Sequence, residues 1–180
     1  MEFHAENCEM TTERLLLRRF RAEDAPAIAE QLNDKEVCKS THSLSYPFGI
    51  ENIKGWIARQ QEGFEKDSSY VFAVTDRMTG EMYGFICLIH EKRDKRGELG
   101  YAYGKRHWGK GIATEATKAV IDFAFSVKGM HKVYARHFAS NPASGRVMQK
   151  SGMTYEGTQI SHDFKTDHFE DVVSYGILNV

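Results

Sequence analysis

The chain has 180 residues, enough for one domain that buries its own core without disulfides or metal ions. Hydrophobic residues make up 41% of the sequence and charged residues 27%, as in globular proteins, which argues against a disordered or membrane-spanning chain. Because 24 basic residues stand against 25 acidic ones, the formal net charge of -1 offers no positive field to phosphates, and we expect no nucleic-acid partner.

The N-terminal part of the chain is predicted to contain a strand followed by two amphipathic helices. Residues 1–11 are polar and acidic, so we expect them to be flexible or peripheral. A short apolar run between charges at residues 14–18 favours a strand. Apolar residues then recur at helical spacing over residues 25–32 and again over residues 50–64, which predicts a helix at each place.

The segment between these helices, residues 34–48, is predicted to be a loop because its apolar periodicity is lost. Pro47 disfavours helix and biases Tyr46 toward an extended conformation. We therefore expect Tyr46 and Phe48 to be exposed aromatic side chains in this loop.

The middle of the chain is predicted to form three consecutive antiparallel strands. Residues 70–74 and 82–89 are apolar runs on either side of a Thr79-Gly80 turn, which is the pattern of a β-hairpin. A second turn leads into a third strand at residues 98–104, whose side chains alternate between a bulky face and a nearly bare one. The bulky face carries Leu99, Tyr101 and Tyr103, and the bare face carries Glu98, Gly100, Ala102 and Gly104.

The C-terminal part of the chain begins with the strongest helical pattern in the sequence, which Gly111 opens and Gly129 stops. Asn141 and Pro142 are the N-cap and first residue of a predicted short helix. Strands are predicted at residues 132–138, 154–161 and 167–178, the last two paired as a hairpin.

A glycine-rich turn, residues 104–113, joins the third middle strand to the long helix and looks like an anion-binding site. The start of a helix leaves backbone N–H groups unpaired and carries the positive end of the helix dipole. Gly109 and Gly111 would let phosphate oxygens approach the backbone, while Arg106 and Lys110 add positive charge. The alternative is that the glycines serve only the geometry of the turn. The spacing differs from that of dinucleotide-binding and Walker A loops.

Cysteines and histidines give no sign of a metal site or a disulfide framework. The three cysteines, Cys8, Cys38 and Cys87, are widely spaced without a C-x-x-C pattern, and the eight histidines form no H-x-x-x-H pair. We therefore expect no metal ion and a reducing, cytoplasmic location. Cys87 lies in an apolar strand, so we expect a buried and unreactive thiol.

Several motifs together resemble the GNAT superfamily of N-acetyltransferases. Residues 106–113 read Arg-x-x-Gly-x-Gly-x-Ala and are similar to the [Q/R]-x-x-G-x-[G/A] signature with which that family grips the pyrophosphate of coenzyme A. The similarity extends over most of the chain and is closest to the Rim-type branch, which includes ribosomal-protein N-terminal acetyltransferases. The segments that carry it are residues 12–18, 46–48, 98–101, 108–116 and 141–153.

The resemblance implies one domain over residues 1–180 with an α/β fold, a mixed and mostly antiparallel sheet of about seven strands, and helices on both faces. It implies acetyl-CoA as the cosubstrate and an amine as the acceptor, most directly a protein N-terminal α-amine. Small-molecule amines such as a polyamine, an amino acid or an antibiotic stay open as acceptors, as does a non-catalytic acyl-CoA-binding sensor. We expect no membrane partner, and a homodimer stays open because nothing in the sequence decides the oligomeric state.

The resemblance also assigns residues to the cosubstrate. Backbone N–H groups of residues 101–103 would polarise the thioester carbonyl if their strand splays from the next one. In the family an asparagine at the place of Asn141 hydrogen-bonds the pantetheine arm, although a helix cap alone would explain this residue. The assigned set is Tyr101, Ala102, Tyr103, Arg106, Trp108, Gly109, Lys110, Gly111, Ile112, Ala113, Asn141 and Ser144.

The resemblance leaves the proton donor for the departing thiolate in question. Many GNAT enzymes carry a tyrosine four residues after the position of Ser144, but this chain has Met148 there. Rim-type relatives use the serine instead, so Ser144 is the candidate that hydrogen-bonds or protonates the sulfur. An ordinary serine in a helix interior is the alternative.

The acceptor side of the predicted site is defined by three residues. Glu98 stands at the start of the bare strand face, so it is the candidate base for the amine, with Asp163 as an alternative. The alternative is that Glu98 only ends a charged turn. Tyr46 and Phe48 lie where the family places its acceptor-binding wall, and the alternative is that they fold back over the core as a lid.

Overall fold

The computed structural model describes residues 1–47 and 50–180, which form nine strands and five α-helices. The strands are β1 (Glu2–His4), β2 (Glu9–Thr11), β3 (Leu15–Arg19), β4 (Ser69–Asp76), β5 (Met82–Glu91), β6 (Arg96–Tyr103), β7 (Lys132–Phe138), β8 (Thr154–Lys165) and β9 (His168–Leu178). The helices are α1 (Ala25–Leu32), α2 (Lys35–Lys39), α3 (Ile50–Glu65), α4 (Ile112–Ser126) and α5 (Pro142–Lys150).

The strands of the described residues form one sheet in the order β1-β2-β3-β4-β5-β6-β7-β9-β8. Neighbouring strands are antiparallel except β6 and β7, which run parallel because α4 connects them across one face of the sheet. The predicted mixed, mostly antiparallel sheet is therefore confirmed. The predicted number of strands was wrong, since the sheet has nine strands instead of seven.

The two additional strands come from the segment that was expected to be flexible or peripheral. β1 and β2 have three residues each, too short to give a periodic signal in the sequence, and they pair as a hairpin at the edge of the sheet. Met10 in β2 is fully buried. Phe3 in β1 packs against Phe123 of α4 with 5.3 Å between ring centroids. These two apolar contacts anchor the hairpin on the core.

Helices cover both faces of the sheet, as predicted, and bury a separate apolar cluster on each. On one face α4 and α5 pack on the central strands around Phe123. On the other face α1, α2 and α3 pack around Ile53. β6 contributes Leu99 and Tyr103 to the first cluster and Ala102 to the second, which confirms the predicted alternation of its side chains.

The prediction that residues 34–48 form only a loop was wrong, because α2 lies within them. Its signal is a single N-cap: the Asp34 carboxylate accepts hydrogen bonds from the backbone N–H groups of Glu36 and Val37, at 2.7 and 3.2 Å. Val37 and Cys38 are buried against the second cluster. A helix of five residues is too short for a recognisable apolar stripe.

The C-terminal strands β8 and β9 pair as the predicted hairpin, although β8 extends beyond residue 161 to Lys165. The hairpin lies beside β7 through β9. No helix within residues 1–47 and 50–180 has both the length and the apolar character needed to cross a bilayer.

The parallel strands β6 and β7 stay together over only part of their length. Residues 96–99 of β6 pair with residues 132–135 of β7, and the pairing then stops. β6 continues to Tyr103 with hydrogen bonds to β5 alone, and β7 continues to Phe138 beside β9. The strand splay expected from the resemblance is thus confirmed, and it opens the centre of the sheet.

Candidate active site

A cavity of about 520 Å³ lies where β6 and β7 part. Its walls come from the unpaired end of β6, the start of α4, the end of β7, one side of α5 and the segment after α2. The cavity brings together most of the residues predicted for the cosubstrate. These are Tyr101, Ala102, Tyr103, Trp108, Gly109, Gly111, Ile112, Ala113, Asn141 and Ser144.

The start of α4 has the properties of an anion-binding site. Gly109 and Gly111 have φ values of 74° and 80°, a left-handed conformation that strains any residue with a Cβ atom. Among the described residues, none accepts a hydrogen bond from the backbone N–H groups of residues 109–114. These amide groups lie at the positive end of the α4 dipole, beside the cavity. This arrangement is suited to binding the phosphates of coenzyme A.

Arg14, which is far from this glycine turn in the sequence, holds the turn in place. Its guanidinium donates to the Lys110 carbonyl at 3.0 Å and to the Glu115 carboxylate at 2.7 Å. Glu115 also accepts from the Thr12 hydroxyl at 2.6 Å. Burial opposes ionisation of Glu115, but the hydrogen bonds from Thr12 and Arg14 outweigh it and lower the pKa of this carboxyl. The sequence analysis did not identify these supporting residues.

Arg106 and Lys110 are absent from the described residues that line the cavity. The Arg106 guanidinium lies 2.8 Å from the Glu30 carboxylate and 3.4 Å from that of Glu81. It also donates to the ring of His107 at 3.0 Å. The Arg106 guanidinium thus contacts other side chains of the protein and does not face the cavity in this structure.

Two other cations, Arg146 and Lys150, line the cavity and were not predicted for the site. They lie four residues apart on α5 and so face the same side of that helix. The signal was available in their spacing, because residues at i and i+4 share a helix face.

Ser144 lies at the first turn of α5, and its hydroxyl is paired with a tyrosine of β6. The Tyr101 hydroxyl lies 2.8 Å from Ser144 Oγ and 3.1 Å from the Ser144 carbonyl oxygen. Burial raises the pKa of Tyr101 to about 12, with the Ser144 hydrogen bond acting in the opposite direction. Tyr101 therefore keeps its proton at neutral pH. Met148, at the position where a tyrosine was expected, is buried.

Asn141 caps α5, as its sequence context predicted. Its side-chain oxygen accepts from the Ser144 N–H at 3.3 Å, and its amide group donates to the Ser40 carbonyl at 3.2 Å. The second bond ties α5 to the segment after α2 across the cavity. A capping role and a role toward the cosubstrate are compatible at this position.

Glu98 lies in the cavity wall next to the point where β6 and β7 part. One carboxylate oxygen accepts from Arg136 Nε at 2.9 Å and lies 2.8 Å from its Nη2. The other lies 3.2 Å from the Tyr134 hydroxyl, whose one proton has a nearer acceptor in the Glu91 carboxylate at 2.6 Å. Arg136 is thus the main partner of the predicted base, and the role of Glu98 in proton transfer stays a prediction.

Asp163, the alternative base, does not line the cavity in the described part of the chain, but it bonds a histidine that does. His42 Nδ1 lies 2.7 Å from Asp163 Oδ2. The His42 ring lies over Phe138 with 4.1 Å between centroids. The sequence offered no signal for this pair, because 121 positions separate the two residues.

Of the two predicted acceptor residues, Tyr46 lies among the described residues and does not line the cavity. Tyr46 is 48% exposed, as predicted, with Lys35 Nζ at 5.5 Å from its ring centre. Phe48 lies outside the described residues. Within residues 1–47 and 50–180, His, Cys, Asp and Glu side chains form no group of three arranged to hold a metal ion.

Cys87 is half-buried in the cavity wall, whereas the sequence analysis expected full burial. The difference arises because Gly100 faces it on β6: a Cβ atom there would lie 3.2 Å from Cys87 Sγ, and glycine leaves that space open. Desolvation raises the pKa of the thiol to about 11, so Cys87 is a neutral thiol and a poor nucleophile.

The Cys87→Ala variant is therefore expected to keep kcat within about twofold of the parent enzyme, because no thiolate is available to form an acyl intermediate. Steady-state rates of coenzyme A release would measure this. A complete loss of turnover with normal acetyl-CoA binding would show that the thiol takes part in the reaction.

Known proteins share this sequence pattern and fold. Residues 14–154 match the family model described as an acetyltransferase (GNAT) domain. An "uncharacterized N-acetyltransferase p20" from Bacillus licheniformis is 28% identical over 171 residues, with 93% of this chain and 94% of the relative covered. The [ribosomal protein uS5]-alanine N-acetyltransferase of Escherichia coli is 26% identical over 156 residues, with 82% and 79% covered.

A solved structure gives the same picture of the fold. The structure of RimL, a ribosomal L7/L12 α-N-protein acetyltransferase in complex with coenzyme A, superposes with a TM-score of 0.86 at 17% identity and covers 94% of this chain and 96% of that one. The fold predicted from the motifs is thus confirmed. Because the family model spans most of the sequence, the chain belongs to the GNAT acetyltransferase family and is an N-acetyltransferase, an acyl-transferring enzyme.

Proposed function

We propose that the enzyme transfers the acetyl group of acetyl-CoA to the N-terminal α-amine of a protein. The observation that carries the proposal is the single cavity that joins the unpaired amide groups of α4 to the Tyr101–Ser144 hydroxyl pair and the Glu98–Arg136 ion pair. One end of this cavity has free amide groups that can bind phosphate, and the other has side chains that can donate or accept protons.

The cosubstrate supplies the activated acetyl group as a thioester. We propose that the backbone of residues 109–113 holds its pyrophosphate, with Arg146 and Lys150 contributing positive charge from α5. Residues 101–103 have no β7 partner, so those of their N–H groups that do not face β5 are candidates to polarise the thioester carbonyl. Asn141 is the candidate partner of the pantetheine arm.

The charges of the cavity support an acceptor that carries one amine rather than a polyamine. Among the described residues that line it, Glu98 is the one carboxylate, and Arg136 already neutralises it. A polyamine would bring several ammonium groups into a wall that also contains Arg146 and Lys150. A protein N-terminus brings one amine with an ordinary pKa of about 7.7–8.0, so roughly a tenth to a sixth of it is neutral at pH 7, against less than about one part in a thousand for a lysine side chain.

Two relatives support the same acceptor class. The name of the E. coli relative specifies N-acetylation at an alanine of ribosomal protein uS5, and the RimL structure is named as an α-N-protein acetyltransferase of ribosomal L7/L12. The three cysteines are free thiols, which fits the reducing cytoplasm where ribosomal proteins are made.

The reaction requires three contributions from this chain. A group beside the acceptor must take a proton from the amine, because a protonated amine has no lone pair for attack. Backbone N–H groups of β6 would stabilise the oxygen of the thioester carbonyl as charge develops on it. Ser144, hydrogen-bonded to Tyr101, would supply a proton or a hydrogen bond to the departing sulfur.

Calorimetric titration with acetyl-CoA, followed by thiol-release assays on peptides with different N-terminal residues, tests the proposal. We expect micromolar binding of acetyl-CoA and thiol release with one class of N-terminal peptide, and no release when that peptide is blocked by an N-formyl group. Release with spermidine or free amino acids but with no peptide would favour a small-molecule acceptor. Binding without release from any amine would favour the sensor alternative.

A further inference from the structure

The cavity wall contains a histidine and aspartate pair that the proposed function has not used. We propose that His42, oriented by Asp163, is the catalytic base that accepts the proton of the acceptor amine. This proposal rests on the proposed function, since it identifies the base of the same reaction. It assigns a catalytic role to His42 and a positioning role to Asp163.

The hydrogen bond to Asp163 fixes which ring nitrogen carries the proton. A carboxylate can only accept, so the 2.7 Å contact requires that His42 Nδ1–H donates to Asp163 Oδ2. The lone pair of the neutral ring then lies on Nε2, which has no hydrogen-bond partner among the described residues. His42 lines the cavity whereas Asp163, bonded to the opposite ring nitrogen, does not, and we infer from this that the lone pair faces a molecule in the cavity.

Packing holds the imidazole in that orientation. The ring lies on Phe138 of β7 at 4.1 Å between centroids and an interplanar angle of 38°. About two thirds of the side chain is buried, with 32% of its surface exposed. A ring held by one hydrogen bond and one aromatic face loses little freedom when a substrate arrives, which is the condition for efficient proton transfer.

Burial, with charged groups acting in both directions, favours the neutral form of the ring. Burial lowers the pKa of His42 below its ordinary value, although the hydrogen bond and charge of Asp163 oppose this. Arg136 of β7 adds to the lowering, and Glu98 of β6 opposes it. His162 of β8 lies on the far side, with Nε2 at 3.8 Å from Asp163 Oδ1. A neutral imidazole can accept a proton immediately.

Glu98 is less suited to this step because it is paired with a cation. Arg136 donates to one carboxylate oxygen through Nε at 2.9 Å and lies 2.8 Å from it through Nη2, and taking a proton would cost the carboxylate this charge pairing. We infer that the Glu98–Arg136 pair forms the wall beside the amine, while His42 removes the proton. The two candidates can be separated by experiment.

The proton balance of the step is simple. The N-terminal ammonium group loses one proton to His42 Nε2, and the neutral amine attacks the thioester carbonyl carbon. As the C–N bond forms and the C–S bond breaks, the nitrogen loses a second proton. One proton is delivered to the sulfur, which departs as a neutral thiol. His42 then releases its proton to solvent, so the net products are the acetylated amine, coenzyme A and one proton.

This base also implies a choice of acceptor. Burial lowers the pKa of the imidazole, and the ordinary pKa of an α-amine, about 7.7–8.0, is much closer to it than that of a lysine side chain, about 10.4. Proton transfer from an α-ammonium group is therefore much less unfavourable than transfer from a lysine ε-ammonium group. His42 should restrict the enzyme to N-terminal α-amines.

The test compares His42→Gln with His162→Gln, a matched variant that removes a neighbouring histidine which also approaches Asp163 but does not line the cavity. Both should bind acetyl-CoA normally by calorimetry. For an N-terminal peptide at pH 7, we expect kcat/KM to fall by ~10²-fold or more in His42→Gln and to stay unchanged in His162→Gln. Asp163→Asn should give an intermediate loss, because the ring loses its anchor.

Two further readouts separate a base from a structural residue. In His42→Gln the pH dependence of kcat/KM should move upward toward the pKa of the α-amine itself, about 7.7–8.0. Free imidazole should restore part of the rate in His42→Ala in proportion to its neutral form. Transfer by the parent enzyme combined with unchanged rate and pH profile in His42→Gln would overturn the proposal, whereas absence of transfer to any peptide would instead overturn the proposed function.

Discussion

Replacement of Gly111 by glutamate is expected to weaken acetyl-CoA binding by ~100-fold or more. Gly111 is the N-cap residue of α4 with a φ of 80°, and its neighbours present the unpaired amide groups of the helix start. A carboxylate at this point would occupy the place of a phosphate and repel it, in addition to straining the backbone by roughly 1–2 kcal/mol. Calorimetric titration of the folded variant with acetyl-CoA would measure the loss.

Gly80→Glu is the matched control for this variant. Gly80 has a φ of 75°, almost that of Gly111, and a Cβ atom there would meet nothing within 4 Å in the turn between β4 and β5. The same strain and the same charge are thus introduced away from the cavity, so affinity should not change. Gly111→Ala separates strain from charge. Unchanged affinity in Gly111→Glu would contradict the placement of the phosphates at the start of α4.

Local sequence signals predicted much of the fold and one half of the site. The glycine turn before α4, the cap at Asn141 and the side-chain alternation of β6 all arise from interactions between residues a few positions apart. Such interactions leave a pattern in the sequence, because the backbone geometry of a turn, cap or strand restricts which residue types fit. The cosubstrate side of the cavity is built almost entirely from these segments.

Contacts between distant parts of the sequence could not be predicted in the same way. Tyr101 meets Ser144 across 43 positions, Arg14 meets Glu115 across 101, and His42 meets Asp163 across 121. These contacts depend on the splay of β6 from β7 and on where the end of α2 meets β8, which no local pattern records. The short elements α2 and β1 were missed for a related reason, since a few residues carry no periodicity.

The contact between Tyr101 and Ser144 changes the interpretation of Met148. A tyrosine was expected at that position to protonate the departing sulfur, and its absence left Ser144 as a lone hydroxyl in the sequence analysis. In the structure, a tyrosine hydroxyl from β6 reaches the same serine at 2.8 Å. We propose that Ser144 gives a proton to the sulfur and regains one from Tyr101, so that the two hydroxyls act as a short relay.

Variants of this relay are expected to lower kcat while leaving acetyl-CoA affinity nearly unchanged. Ser144→Ala removes the group nearest the sulfur and should reduce kcat by ~10²-fold, and Tyr101→Phe should reduce it by ~10-fold. The double variant should be no slower than Ser144→Ala, because the tyrosine acts only through the serine. Pre-steady-state and steady-state rates of thiol release on the same peptide would measure all three.

Tyr103→Phe is the control that the structure offers for this relay. Tyr103 lies two residues further on the same face of β6, and its buried hydroxyl has no hydrogen-bond partner among the described residues. Removing that hydroxyl should leave kcat unchanged and should not destabilise the fold, because an unpaired buried hydroxyl is unfavourable. If Tyr101→Phe behaved like Tyr103→Phe, with full kcat, the proton would reach the sulfur from Ser144 or solvent alone. An additive loss in the double variant would show instead that each hydroxyl contacts the sulfur independently.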